Sequence, residues 1–89
     1  MKHYRIHIIG TVQGVWFRKY TKEAALSYHV KGMVKNEIDG SVYIEAEGEE
    51  ENLESFLGWL YTGSPLSKVE KVKWEEGSLR HFSRFDISR

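Results

Sequence analysis

The sequence predicts an α+β fold in which two helices pack on one face of an antiparallel sheet. Segments in which apolar residues alternate are interrupted twice by segments of helical period. The resulting order is β-α-β-β-α-β, followed by one short strand. The chain has 89 residues and contains no internal linker, repeat or low-complexity segment. We therefore expect a single domain over residues 1–89.

The first strand and the first helix are separated by a change of period. Apolar residues alternate with polar ones in residues 3–9, which is typical of a half-buried strand. From Val15 onward the apolar residues recur at helical spacing, and this predicts a helix at about residues 15–28. Tyr20 is expected on its buried face. All three tryptophans are expected to pack in or near the core: Trp16, Trp59 and Trp74.

A hairpin and a second helix follow. Short strands are predicted at residues 32–36 and 42–46, and Asp39-Gly40 between them is a strong hairpin signal. Apolar residues at positions i, i+3, i+4 and i+7 then predict an amphipathic helix that ends at Gly63 and Pro65. They are Leu53, Phe56, Leu57 and Leu60.

The last part of the chain returns to strands. Residues 69–74 alternate weakly and are predicted to form a strand, and residues 75–78 a loop. Phe85 and Ile87 lie at strand spacing, which indicates a short additional C-terminal strand.

Composition limits the classes of function. The 13 basic and 13 acidic residues give a formal net charge of zero, which argues against a broad nucleic-acid or membrane surface. Without cysteine there is no disulfide, no thiolate zinc site and no cysteine nucleophile. The N-terminus leads into no apolar signal core, and no stretch approaches ~20 apolar residues. We expect a cytoplasmic monomer.

The segment from Gly10 to Arg18 is the strongest candidate for a binding site. A glycine-bracketed loop between a strand and a helix can turn backbone N–H groups toward an anion, and the helix N-terminus adds positive charge. The planar guanidinium of Arg18 matches two phosphate oxygens. The spacing differs from the P-loop and from the dinucleotide fingerprint. By spacing alone, an ordinary tight turn with a surface arginine is the more frequent interpretation.

Other polar residues give weaker signals. His3 and His7 share a strand face but are too far apart in a strand to share an ion without a third ligand, so surface histidines are expected and no metal site is predicted. Glu45 and Glu47 share a face of the hairpin strand and are expected to be solvated. The segment at residues 41–45 lacks the basic-glycine-aromatic motif of RNA-binding modules with similar topology.

Two motifs together resemble the acylphosphatase family. They are Gly10-x-Val12-Gln13-Gly14-Val15-x-Phe17-Arg18 and Gly32-x-Val34-x-Asn36, followed by Asp39-Gly40. The resemblance covers nearly the whole chain. It implies a ferredoxin-like fold and hydrolysis of a small-molecule acyl phosphate to a carboxylate and inorganic phosphate, without metal or cofactor. Further matches are Val42, Glu45, Gly48, Gly63-x-Pro65, Val69 and Phe85-x-Ile87.

The resemblance also implies the roles of the site residues. Arg18 and the loop amides would hold the phosphate, and Asn36 would position the attacking water. Because an acyl phosphate already has a good leaving group, the main task is to hold phosphorus in line with water while charge spreads over its oxygens. Fixed N–H donors and a guanidinium perform this task without proton transfer. The amides are those of Gln13, Gly14, Val15, Trp16, Phe17 and Arg18.

Two departures and one alternative accompany the resemblance. Residues 26–30 and Met33 stand where the family often has Leu-Gly-Leu and an aromatic residue. If the missing glycine needs a left-handed backbone, its absence costs up to ~1 kcal/mol. The alternative is a non-catalytic anion-binding module, such as the acylphosphatase-like domain of hydrogenase-maturation carbamoyltransferases. A stand-alone enzyme is expected because no transferase region follows Arg89.

Overall fold

The computed structural model describes residues 1–88 and confirms the predicted α+β, ferredoxin-like class. Five strands form one sheet in the order β4-β1-β3-β2-β5, with two helices packed against it. Four strands pair antiparallel, and β5 pairs parallel to β2, so the sheet is mixed. The elements are β1 Lys2–Thr11, α1 Phe17–Ser27, β2 Lys31–Asn36, β3 Val42–Gly48, α2 Glu50–Thr62, β4 Lys68–Gly77 and β5 Phe85–Ile87.

The core lies between the helices and one face of the sheet. Tyr4, Ile6 and Ile8 of β1 are buried there, as their alternation predicts, and Ile44 of β3 lies opposite Ile6 in register. The predicted apolar face of α2 completes this layer with four buried residues: Leu53, Phe56, Leu57 and Leu60. Within residues 1–88, neither helix has the length and hydropathy to cross a membrane.

Helix α1 begins later than predicted, and its buried face differs from the predicted one at Trp16 and Tyr20. Trp16 adopts a left-handed backbone conformation with φ of 61°, so helical geometry starts only at Phe17. The buried residues of α1 are Phe17, Thr21, Ala24 and Ala25, whereas Tyr20 is 37% exposed. Because Trp16 precedes the helix, its side chain does not follow the helical face that its spacing suggested.

The prediction that all three tryptophans pack in or near the core was wrong for Trp16. Trp16 is 69% exposed and Trp74 is 48% exposed. Trp74 lies on an edge strand and packs against Tyr4, with ring centroids 4.6 Å apart. Trp59 packs against the core as a partly buried side chain.

The C-terminus of α1 explains the departure at residues 26–30. The amide of Val30 donates to the Ala25 carbonyl, and the amide of His29 donates to the Leu26 carbonyl. This is the Schellman arrangement, which requires a left-handed residue at the position occupied by His29. His29 has φ of 59°. The position where the family often has glycine therefore does need the left-handed backbone here.

A β-bulge redirects the end of β1 toward α1. The register between β1 and β4 shifts between Ile9 and Gly10, and Gly10 has φ of 142°. A Cβ at Gly10 would lie 2.1 Å from the Lys68 carbonyl oxygen, so only glycine allows β4 to approach this closely.

Residues 78–84 connect β4 at one edge of the sheet to β5 at the other, and they cover the part of the opposite face around Glu47. Three side chains of the sheet and one of this connection meet in what we call the back-face cluster: His3, Glu45, Glu47 and Arg80. His3 and Glu47 are each only 1% exposed. The expectations of a surface histidine at position 3 and of solvated glutamates were therefore wrong, because sequence alternation does not reveal a covering loop.

Candidate active site

The loop between β1 and α1 has the backbone geometry of an anion-binding nest. Gly14 and Trp16 both have left-handed backbones, with φ of 73° and 61°. Alternation of left-handed residues with others turns successive N–H groups toward one side of the chain. A Cβ on Gly14 would meet no atom within 4 Å, so this glycine is needed for its conformation rather than for space.

The start of α1 adds donors and positive potential to the same place. The first intrahelical hydrogen bond there runs from the Tyr20 amide to the Trp16 carbonyl, at 3.1 Å. The amides of residues 17–19 precede it and have no acceptor within the helix. The first turn contains no acidic residue, and Trp16 supplies no side-chain cap. The positive end of the helix therefore points at the loop without a carboxylate to neutralise it.

Two side chains hold the loop in place. The Gln13 side-chain amide donates two hydrogen bonds of 2.8 Å, to the Glu37 and Ser41 carbonyls of the β2–β3 turn. The Ser64 hydroxyl donates to the Val15 carbonyl at 3.0 Å. The sequence analysis assigned a role only to the backbone amide of Gln13. The structure shows that its side chain also binds the neighbouring turn. The part played by Ser64 was missed, since nothing in the sequence places the end of α2 beside this loop.

Arg18 and Asn36 line one cavity of about 400 Å³. The Arg18 guanidinium donates through Nη1 to the Ser88 carbonyl at 3.3 Å, which orients it at the end of β5. Asn36 is the last residue of β2, and its Oδ1 is buried without a hydrogen-bond partner among residues 1–88. Residues 13–18 together with Asn36 form what we call the cradle.

The remaining lining residues differ in character. Lys19 adds a second cation, and no carboxylate belongs to the lining within residues 1–88. Val12 and Ile87 contribute apolar surface from the ends of β1 and β5. Sequence analysis missed these three residues. Lys19 could have been found from its place in the first turn of α1, but the position of Ile87 depends on the parallel pairing of β5 with β2.

The back-face cluster has the opposite electrostatic character, because its charges are paired. Glu47 accepts hydrogen bonds from the Phe82 amide at 2.9 Å, from the Arg80 amide, and from the His3 ring Nδ1 at 2.7 Å. Burial acts to raise the Glu47 pKa, but the bonds from Arg80, His3 and Phe82 outweigh burial and hold this pKa below its ordinary value.

Both ring nitrogens of His3 face carboxylates. Nδ1 lies 2.7 Å from Glu47, and Nε2 lies 3.1 Å from Glu45. Because the ring separates the two carboxylates, their oxygens do not converge on one point. Within residues 1–88, no group of three histidine, aspartate or glutamate side chains forms a candidate metal site.

A family comparison assigns the chain. The family model for acylphosphatase matches residues 4–87. The chain belongs to the acylphosphatase family. Acylphosphatase from Bacillus licheniformis is 47% identical over 89 residues, which covers 99% of both chains. Acylphosphatase from Thermotoga maritima is 44% identical over 87 residues and covers 98% of this chain and 97% of its own.

Solved structures agree with the assignment. The crystal structure of acylphosphatase from Bacillus subtilis superposes with a TM-score of 0.98 at 43% identity over all of both chains. Full-length HypF, in its phosphate- and nucleotide-bound form, superposes with a TM-score of 0.89 at 31% identity, over 99% of this chain and 12% of that chain. As an acylphosphatase, this protein hydrolyses acyl phosphates, which are small molecules.

Proposed function

We propose that this acylphosphatase holds the transferred phosphoryl group with the backbone amides of residues 13–18 and the Arg18 guanidinium. The loop offers several fixed donors, and the α1 N-terminus and Arg18 add positive charge on one side of the cavity. In the transition state, negative charge spreads over the equatorial phosphoryl oxygens. Donors that are already in place stabilise this charge without reorganisation.

Asn36 orients the attacking water in this proposal. Its buried, unpartnered Oδ1 on the wall of the same cavity as Arg18 is the observation that carries the assignment. A buried acceptor without a donor is costly, so a water that donates to it is expected. That hydrogen bond directs the water lone pair toward phosphorus. The P–O bond to the acyl group breaks as the bond to water forms, and the carboxylate leaves without needing a proton.

The water proton passes to a phosphoryl oxygen of the substrate, and the products are a carboxylate and inorganic phosphate. Asn36 is too weak a base to take this proton itself. The mechanism uses only side chains and amides of one chain, which supports a monomer with a single acylphosphatase domain. The proposal places the enzyme in the cytoplasm. The mechanism requires neither a metal nor a cofactor.

The decisive experiment is hydrolysis of benzoyl phosphate in the presence of a chelator, with the wild type, Arg18→Ala and Asn36→Ala compared. We expect wild-type turnover to survive the chelator, and each substitution to lower kcat/KM by at least ~10²–10³. Inhibition by inorganic phosphate should weaken mainly in Arg18→Ala. If a folded Asn36→Ala protein retains wild-type kcat, its water-orienting role is wrong.

A second candidate function is anion binding without turnover. The observation behind it is the superposition on 12% of the full-length HypF chain, which was solved in its phosphate- and nucleotide-bound form. Phosphate binding by calorimetry distinguishes the two. If the wild type binds phosphate through Arg18 while benzoyl phosphate persists unhydrolysed, the chain is a binding module.

A further inference from the structure

Trp16 occupies an unusual position at the cavity. Its side chain is 69% exposed, the backbone beneath it is left-handed, and the residue belongs to the cavity lining. An exposed indole contributes little to the core. A left-handed conformation costs a non-glycine residue roughly 1–2 kcal/mol. A strained backbone under an exposed side chain is typical of residues at active sites and ligand-binding sites.

The proposed phosphate contacts assign no role to the Trp16 side chain. The cradle needs the backbone amide at this position, and any residue other than proline supplies one. The cavity of about 400 Å³ is also much larger than a phosphoryl group, and its wall includes apolar side chains such as Ile87. The part of the substrate that remains to be accommodated is the acyl group.

We propose that Trp16 selects the acyl group, by stacking against planar aromatic or large apolar acyl chains of the substrate. The proposal rests on the proposed function of the cradle, because the cradle fixes where the acyl group leaves. Lys19 lies over the indole with its Nζ 5.8 Å from the ring centroid. This cation–π contact orients the ring from one face. The high exposure of Trp16 leaves its other face to a ligand.

The stacking gives selectivity because it depends on the size of the acyl group. Aromatic rings gain stacking energy and bury apolar surface against an indole, whereas the single methyl group of acetyl phosphate offers little surface to it. The phosphoryl contacts are common to both substrates and cancel in a comparison. The selected class is therefore aroyl and large apolar acyl phosphates.

The test is the ratio of kcat/KM for benzoyl phosphate to kcat/KM for acetyl phosphate. Trp16→Gly removes the indole and favours the left-handed backbone, while Trp16→Ala removes the indole and retains the backbone strain. We expect the ratio to fall about tenfold in both variants, the loss of one aromatic stacking contact. A fall in Trp16→Ala alone would assign the effect to loop geometry and overturn the proposal.

Trp74→Ala is the matched control, since Trp74 is also exposed but does not line this cavity. Its ratio should equal that of the wild type. An unchanged ratio in both Trp16 variants would overturn acyl selection by Trp16. That result would leave the cradle intact, because Arg18→Ala and Asn36→Ala test the cradle through absolute turnover, whereas this experiment reads only a ratio.

Discussion

The cradle and the back-face cluster are both polar, but they differ in whether their polar groups have hydrogen-bond partners in the protein. In the cradle, Asn36 Oδ1 lacks a protein partner within residues 1–88, and the first turn of α1 has no acidic residue. In the back-face cluster, Glu47 accepts bonds from His3, Phe82 and Arg80. One region keeps its hydrogen-bonding capacity for a substrate, and the other uses it to hold the 78–84 connection against the sheet.

The comparison teaches that catalysis and stability are separated in this fold. Unsatisfied polar groups are tolerated where a ligand will satisfy them, and they lower stability in its absence. Removal of either partner from a buried, fully paired set of charges lowers the free energy of unfolding. Substitutions in the cradle should therefore change activity more than stability, and substitutions in the cluster should do the reverse.

Asn36→Ala should give the largest separation of the two properties. We expect kcat to fall by about 10²–10³, while the free energy of unfolding stays constant or rises because a buried unpartnered oxygen is removed. Urea denaturation beside benzoyl phosphate turnover checks both. A protein destabilised by more than about 1 kcal/mol would show that Asn36 is already satisfied in the free enzyme.

Glu47→Gln should produce the converse result. A glutamine offers only one acceptor oxygen to the Arg80 amide, the Phe82 amide and the His3 ring. A buried donor left without a partner typically lowers the free energy of unfolding by about 1–3 kcal/mol. Turnover per folded molecule at low temperature should be retained. Thermal unfolding followed by circular dichroism measures the stability. A stable Glu47→Gln protein with impaired kcat would mean that the cluster acts on the site rather than on the fold.

The pH dependence of stability should carry the signature of the cluster. The Glu47 pKa is lowered in the folded state from an ordinary value of 4.5. Its contribution is therefore fully present above the unfolded pKa and is lost as pH falls through the lower folded pKa. We expect the wild type to lose stability below about pH 4.5 more steeply than Glu47→Gln. Parallel acid-unfolding curves for the two proteins would contradict this assignment.

His29→Gly supplies a reference outside both regions and has the smallest expected effect. His29 holds the left-handed position of the Schellman motif, so glycine should raise the free energy of unfolding by up to ~1 kcal/mol. Since His29 does not line the cradle cavity, kcat should not change. Denaturant midpoints and turnover of the two proteins check this. A changed kcat would link stability to turnover and weaken the separation between the two regions.

Local patterns predicted most of the fold. The alternation around Ile6, the helical spacing from Leu53 to Leu60 and the turn at Asp39-Gly40 each depend on residues close in sequence. The errors arose where a distant segment decides burial. His3 and Glu47 alternate as exposed residues should, and they are buried because residues 78–84 cross over them.

The candidate site divides in the same way. The loop glycines, Arg18 and Asn36 could be named from two short motifs, and the structure places them around one cavity. The residues that surround the loop and Arg18 could not be named, because only tertiary packing brings them there. They are Ser64, Ile87 and Ser88. Trp16 shows the limit of periodicity, since one left-handed residue moved it out of the helix that its spacing predicted.

The pairing of β1 has a consequence for synthesis of the chain. This central strand pairs with β3 and with β4, which follow it by tens of residues, and Arg18 finds its acceptor only at Ser88. Translation proceeds at about 5–20 residues per second, so several seconds pass between the synthesis of β1 and that of β4. Its apolar face is then open to chaperones or to other nascent chains, and the arginine receives its orientation only when residue 88 has emerged from the ribosome.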